Sequence, residues 1–243
     1  MVEARIRGAG VTDIGRKRAR NEDSFLMRPD VGVWAVADGM GGHGGGDVAS
    51  AMAIDALARV AVEGDAAARL AALETAAAAS NHEMRAYARS NGRDIVGTTL
   101  VALLVCGGHF ACLWCGDSRA YILRDGALRQ LTRDHSETQA LVDRGVLDAE
   151  EAKVWPRRSV LTRALGAGED STLDFVSERL GAGDMLLLCS DGLTAHCADA
   201  DIAAALAGAD PQAACDALIA LTLGRGASDN VTVIALRCES VPT

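Results

Sequence analysis

Aromatic residues are scarce: three Phe, three Trp and two Tyr make up 3% of 243 residues. Single-stranded nucleic acids are held on stacked aromatics, and the formal net charge is −9. Both features argue against a nucleic-acid partner, and the acidic balance argues against an anionic membrane surface. No apolar run approaches the ~20 residues of a spanning helix. The N-terminal stretch lacks the apolar core of a secretory signal. A cytoplasmic protein is therefore expected, or one domain of a longer chain, without a membrane partner. A disulfide framework is also missing. The seven cysteines are odd in number and carry no secretory context, so they read as reduced, mostly buried thiols. Cys112 and Cys115 have C-x-x-C spacing, but on a strand pattern a separation of three sends them to opposite faces. That pair reads as structural.

Apolar residues make up 49% of the chain, and they are patterned. Residues 31–37 form a short β-branched run that reads as a buried strand. Asp38 stands where the run stops, followed by Gly39, Gly41, Gly42 and Gly44–Gly46. Such glycines permit positive φ and close approach to a ligand. Asp47 then reads as the N-cap of a helix with an apolar stripe at Ala51, Ile54 and Leu57. On its own this stretch fits a tight Asp-Gly turn as well as a ligand loop.

Further strands are expected over 5–12, 24–28, 98–106, 109–115, 120–124, 128–131, 173–178, 185–189 and 231–237. A second helix follows Gly64-Asp65, with Leu70, Leu73, Ala77, Ser80, Met84 and Tyr87 at helical spacing. The two helices read as an antiparallel pair covering a sheet face. Asp125-Gly126 marks a two-residue hairpin. Residues 133–170 are charged and partly helical, over 137–144 and 148–153, and read as a surface excursion from a single domain spanning 1–243. Later helices are expected over 200–206 and 211–223.

Several acids recur in one context, at the end of an apolar run beside Gly, Ser or Asn. Asp38, Asp117 and Asp191 follow such runs, while Glu22, Asp23 and Asp229 precede them. Singly each reads as a turn residue. If Glu22, Asp38, Asp117, Asp191 and Asp229 converge, they repel one another and raise their own pKa values. Hard divalent ions resolve that repulsion, and oxygen-only donors suit Mg²⁺ or Mn²⁺. Two such ions sharing a water generate a hydroxide suited to a phosphoryl electrophile. Arg18, four residues before Glu22, is the candidate phosphate clamp, because a guanidinium can hold two phosphate oxygens.

The motifs TDIGRKRARNEDSF, VADGMGGHGGGDVAS, GTTL, WCGDSRAYIL, LTRDHS, SVLTRALG, GDMLLLCSDGLT and GASDNVTVIAL occur in this order. The chain thereby resembles the metal-dependent type 2C serine/threonine protein phosphatases, the PPM family, in their compact bacterial branch. The resemblance implies an α+β fold, a four-layer α-β-β-α sandwich of two antiparallel sheets flanked by helix pairs. It implies hydrolysis of phosphoserine and phosphothreonine in proteins by a metal-bridging hydroxide attacking in line, with no phosphoenzyme. Two core Mn²⁺ or Mg²⁺ ions are implied, and a third as in bacterial members. Asp38 would bridge the core ions, with the Gly39 carbonyl on one and Asp191 and Asp229 on the other. Glu22 would bind directly or through metal water, and Asp23 would support that water shell. Asp117 with Asp191 would form the third site, and Arg18 would grip the phosphate. The excursion would contain a flap, where Arg157, Arg158 and Arg163 are candidates for substrate contact. A monomer with a cognate serine/threonine kinase is expected.

Many eukaryotic members carry a histidine directly after the Asp-Gly; here that residue is Met40. His43 or a metal-bound water is left to protonate the leaving group. The glycine pattern from Gly39 also matches a dinucleotide fingerprint, but two helices follow it in place of a second parallel strand. No Gly-Lys-Ser/Thr follows either, no cysteine has an arginine six residues on, and 199–203 fails the D-x-D-x-T/V pattern. These absences remove P-loop, cysteine-nucleophile and aspartyl-phosphate chemistry. The remaining alternative is the same fold as an inactive binding or regulatory module.

Overall fold

The computed structural model describes residues 5–41, 44–61, 63–169 and 172–239. Its strands form two antiparallel sheets. The first has the order β1 (Arg5–Asp13), β11 (Val231–Glu239), β10 (Met185–Cys189), β7 (Arg119–Arg124) and β8 (Ala127–Gln130). The second has the order β2 (Asp23–Arg28), β3 (Val33–Met40), β5 (Leu100–Cys106), β6 (His109–Cys115) and β9 (Asp174–Arg179), and β4 (Gly97–Thr98) pairs with the end of β3. Helices α1 (Gly46–Ala58) and α2 (Ala66–Ser90) cover the second sheet, while α5 (Asp191–Thr194), α6 (Asp199–Leu206) and α7 (Pro211–Gly224) cover the first. The result is the expected four-layer α+β sandwich.

The period of two along a strand builds three apolar layers. On β3, Val33, Ala35 and Ala37 pack towards the α1/α2 pair, while Trp34 and Val36 pack between the sheets. On β10, Met185, Leu187 and Cys189 face the α6/α7 side, and Leu186 and Leu188 face inward. Burial of each such Leu stabilises by ~1.5–3 kcal/mol. Cys112 lies between the sheets and Cys115 under the helices, so this C-x-x-C pair points to opposite faces as expected. None of the seven cysteines is joined in a disulfide.

Asp65 caps α2, accepting the Ala68 N–H at 2.9 Å. The buried stripe of α2 runs through Leu73, Ala77, Ser80, Met84 and Ala88. At Asp125-Gly126 both residues have positive φ, 51° and 80°, the geometry of a tight hairpin turn. Elsewhere the structure corrects the sequence reading. Gly45, not Asp47, caps α1, and Asp47 sits within the first turn, where a negative charge still favours the helix dipole. The face of α1 that packs inward carries Ala49, Ala53, Ile54 and Leu57, and Ala51 is exposed. Strand β3 does not stop at Asp38 but continues to Met40, because Gly39 and Met40 pair with Thr98 and Gly97. The run expected over 98–106 is interrupted at Thr99, which separates β4 from β5.

The excursion over 133–170 carries α3 (Glu137–Asp143) and α4 (Ala149–Lys153), the latter closed by an Asp148/Glu151 capping box. A bridge between Ser136 and Leu161 closes the excursion on itself, and a bridge between Thr98 and Leu165 ties it to β4. Among the described residues no helix is long and apolar enough to cross a membrane.

Candidate metal centre

The acids meet at one end of the sandwich. Asp23 and Asp38 are directly paired on β2 and β3. Asp117 and Ser118 lie between β6 and β7, Asp191 opens α5 just after β10, and Asp229 lies just before β11. Strand order thus gathers residues that lie up to two hundred positions apart.

Burial holds the Asp38 carboxyl well above the usual range, and Asp23, Asp191, Asp117 and Asp229 add repulsion in that order. Burial and then Asp191 raise Asp117 to about 8. Burial raises Asp23 to about 6, against hydrogen bonds from Thr232 and Ser190. Asp191 is raised by burial and Asp229, and a hydrogen bond with Asp38 opposes the shift. Glu22 is raised by burial and by Asp47, with Arg18 opposing.

The supporting contacts are specific. Asp23 Oδ2 accepts from Ser190 Oγ at 2.8 Å and Thr232 Oγ1 at 2.7 Å, while its buried Oδ1 has no protein partner. The Asp38 N–H donates to Thr99 Oγ1 at 3.0 Å, and its carbonyl accepts from Thr99 N and Thr98 Oγ1 at 2.9 Å each. Thr99 Oγ1 also lies 2.6 Å from Ser118 Oγ, which links the Asp38 and Asp117 segments. Asn230 Oδ1 accepts the Glu22 N–H at 2.8 Å, and its Nδ2 donates to the Ile14 and Arg20 carbonyls at 2.9 Å each. Asn230, Thr98 and Thr99 lie within the sequence motifs, which alone assign them no role. Their only sequence signal is a small polar residue beside an acid at a strand end.

The glycines do less conformational work here than expected. Gly39 has an ordinary φ, and its N–H donates to the Glu22 carbonyl at 3.1 Å. It is required by space: a Cβ there would overlap the Gly46 carbonyl and stand 2.6 Å from the Glu22 oxygen. Among the described glycines of this loop, positive φ occurs at Gly41 and Gly44.

Arg18 Nη2 lies 2.5 Å from Asp229 Oδ2, so the guanidinium borders the acids, half-exposed. Arg163 is held away from them, donating to Asp174 Oδ1 at 2.9 Å and to the Thr172 carbonyl. Its neighbour in that network is His135, which stacks on Trp114 and accepts the Gly116 N–H at 3.1 Å. Arg157 pairs with Glu137 at 2.8 Å. His43 lies outside the described residues.

A cleft of about 850 Å³ opens on Asp117 and Asp191. Lys153, Arg158 and Ser159 of the excursion line one side, and Thr194, His196 and Asp199 line the other. In its floor Arg119 chelates Asp134 through Nε at 2.9 Å and Nη2 at 2.7 Å.

The donor set suits hard divalent cations. It is all oxygen, its charges repel, and one buried carboxylate oxygen has no protein partner. Among the described residues no three His, Cys, Asp or Glu side chains are already grouped as a metal site. Asp23 and Asp38 are paired across two strands, and Asp38 and Asp191 share a side-chain hydrogen bond.

An α-β-β-α sandwich with clustered acids at one end is the architecture of protein phosphatase 2C. The family model for protein phosphatase 2C matches residues 14–212, and the chain belongs to that family. It is 41% identical over 231 residues to the serine/threonine protein phosphatase PstP of Mycobacterium tuberculosis, covering 94% of this chain and 44% of that protein. The chain thus spans less than half the length of that relative. It is 37% identical over 235 residues to the serine/threonine phosphatase stp of Listeria innocua, with 92% of each covered. A structure of the PstP catalytic domain in complex with two manganese ions superposes with a TM-score of 0.89 at 37% identity, covering 98% of this chain and 100% of that one.

Proposed function

We propose that the chain hydrolyses phosphoserine and phosphothreonine in proteins in a manganese- or magnesium-dependent reaction. The observation that carries this reading is the gathering of Asp23, Asp117, Asp191 and Asp229 around buried Asp38, whose pKa is raised by burial and then by these four charges. Such a cluster is relieved when cations share it. The relatives named serine/threonine phosphatases and the two manganese ions of the PstP structure support the same reading.

Asp38 and the Gly39 carbonyl would hold one ion, and Asp38, Asp191 and Asp229 a second. Glu22 would contribute directly or through ordered water, and Asp117 with Asp191 would hold a third. When bound, such ions lower the pKa of a water and withdraw charge from phosphoryl oxygens, and attack is in line without a phosphoenzyme.

The chain's own groups do the rest. Arg18 turns from Asp229 to two phosphate oxygens and orients the phosphoryl group. Asp23, fixed by Ser190 and Thr232, offers Oδ1 as an acceptor to water within the cluster. His43 is one source of the proton for the leaving hydroxyl, and a water in the cluster is the other. The cleft beside Asp117 receives the polypeptide around the phosphorylated residue, with the excursion acting as flap. Arg163 contributes to substrate binding by bracing the flap root through Asp174. A serine/threonine kinase supplies the phosphorylated substrate.

The test is release of phosphate from a phosphothreonine peptide and from an aryl phosphate, with excess Mn²⁺ and with chelator. Mn²⁺-dependent release that chelator abolishes is expected. Release that survives chelation, or none in excess Mn²⁺, overturns the reading and favours a binding module.

A further inference from the structure

His196 lines the cleft, and it also joins the two loops that carry Asp191 and Asp229. It lies five residues after Asp191, where the chain leaves α5. Its Nε2 accepts the Ser228 N–H at 2.9 Å and lies 3.0 Å from Ser228 Oγ. An imidazole nitrogen that accepts a backbone N–H is unprotonated, so the ring proton resides on Nδ1. The His196 carbonyl accepts from Arg225 Nη1 at 2.8 Å, and Arg225 is anchored on Asp201. Both the side chain and the backbone of His196 therefore grip residues 225–228.

The gripped turn is strained. Ala227 is fully buried at φ 29°, a left-handed value that a side chain rarely adopts, and Gly226 precedes it at φ 104°. Such a backbone is strained and persists only where its surroundings over-determine it. The restraints on this turn are the Ala227 N–H to the Thr222 carbonyl, Arg16 N to the Ala227 carbonyl, and His196 on Ser228. Asp229 follows immediately and has no regular structure of its own.

We infer that His196 is a positioning residue for cation binding: through the Ser228 amide it holds the strained turn so that Asp229 stays beside Asp191. This rests on the reading that Asp191 and Asp229 share a divalent ion. Groups that orient metal ligands typically contribute ten- to a hundredfold in metal affinity. Loss of the Nε2 acceptor leaves the Ser228 amide without its partner, and the turn relaxes with Asp229 attached.

The experiment measures Mn²⁺ binding directly, by calorimetry and by the paramagnetic resonance of free Mn²⁺. The proteins are the wild type, His196→Leu and His196→Gln. Leu fills similar volume without an acceptor, whereas the Gln side-chain oxygen can still receive the amide. The inference expects Mn²⁺ affinity to fall about tenfold or more in the Leu variant and to recover substantially in the Gln variant. Equal Mn²⁺ affinity in the wild type and the Leu variant overturns it. A Gln variant as weak as Leu also overturns it. A wild type that binds no Mn²⁺ overturns the metal reading beneath it.

Discussion

Asp23 and Asp38 sit opposite each other in the β2–β3 ladder, and Asp23 is the largest single source of like-charge repulsion on Asp38. Two acids at paired positions of adjacent strands are destabilising in an ordinary sheet. Here they stand at the strand ends, where three more aspartates reach the same carboxyl. The arrangement sacrifices stability of the metal-free protein for a dense oxygen site.

That cost carries a pH dependence. Asp23 and Asp117 have folded pKa values raised to about 6 and about 8, above those of an unfolded chain. Between the unfolded and folded values the native state binds more protons, so stability falls as pH rises. In chelator, Tm should therefore drop between pH 5.5 and 8.5, by on the order of 5 °C. Mn²⁺ should raise Tm more at pH 8.5 than at pH 5.5. Scanning calorimetry at both pH values decides this; a chelated protein more stable at pH 8.5 contradicts it.

Asp191→Asn retains shape but removes a charge from the cluster. Turnover of an aryl phosphate is expected to fall by more than about a hundredfold, while metal-free Tm stays equal or rises because repulsion is relieved. Steady-state kinetics and a thermal melt measure the two effects separately.

Arg18→Ala should act mainly on substrate binding. Loss of a charge-assisted contact to phosphate predicts a rise in KM of about tenfold, with a smaller change in kcat. Unchanged kinetics would remove Arg18 from the phosphate site.

Asn230 is buried and makes three hydrogen bonds to the backbone of the loop between β1 and β2. Asn230→Ala strands an N–H and two carbonyls, for a loss of about 3 kcal/mol. A denaturant melt should show the midpoint shift at constant m-value, and Mn²⁺ affinity should fall with it.

Gly39→Ala tests space rather than flexibility. Its φ suits alanine, but the added methyl has no room between the Gly46 and Glu22 carbonyls. A loss of about 3 kcal/mol or more is expected, read as a lowered Tm with and without Mn²⁺. A wild-type melt would show that the backbone can shift.

Much of the architecture was legible because strand and helix periods are local. The alternation on β3 and β10, the Asp65 cap and the Asp125-Gly126 turn all follow from neighbours within a few residues. Errors fell where tertiary contacts outweigh local pattern. Asp47 has the chemistry of an N-cap, yet Gly45 holds that place, because Gly46 must pack against Gly39 and Glu22. Residues 98–106 read as one strand, but Thr99 is diverted to the Asp38 backbone.

The sequence by itself determined which residues could be ligands, since acids beside small residues at strand ends are visible in order along the chain. It also determined that successive apolar side chains of a strand fall on opposite faces, because a period of two separates them without any knowledge of the partner. Only the tertiary structure decided that Asp23 faces Asp38, that Arg18 reaches Asp229, that Arg163 is taken up by Asp174, and that His196 braces the turn before Asp229. These contacts span from 11 residues, between Arg163 and Asp174, to 211, between Arg18 and Asp229. They depend on strand order, register and the meeting of two sheets, which hydrophobic patterning leaves open.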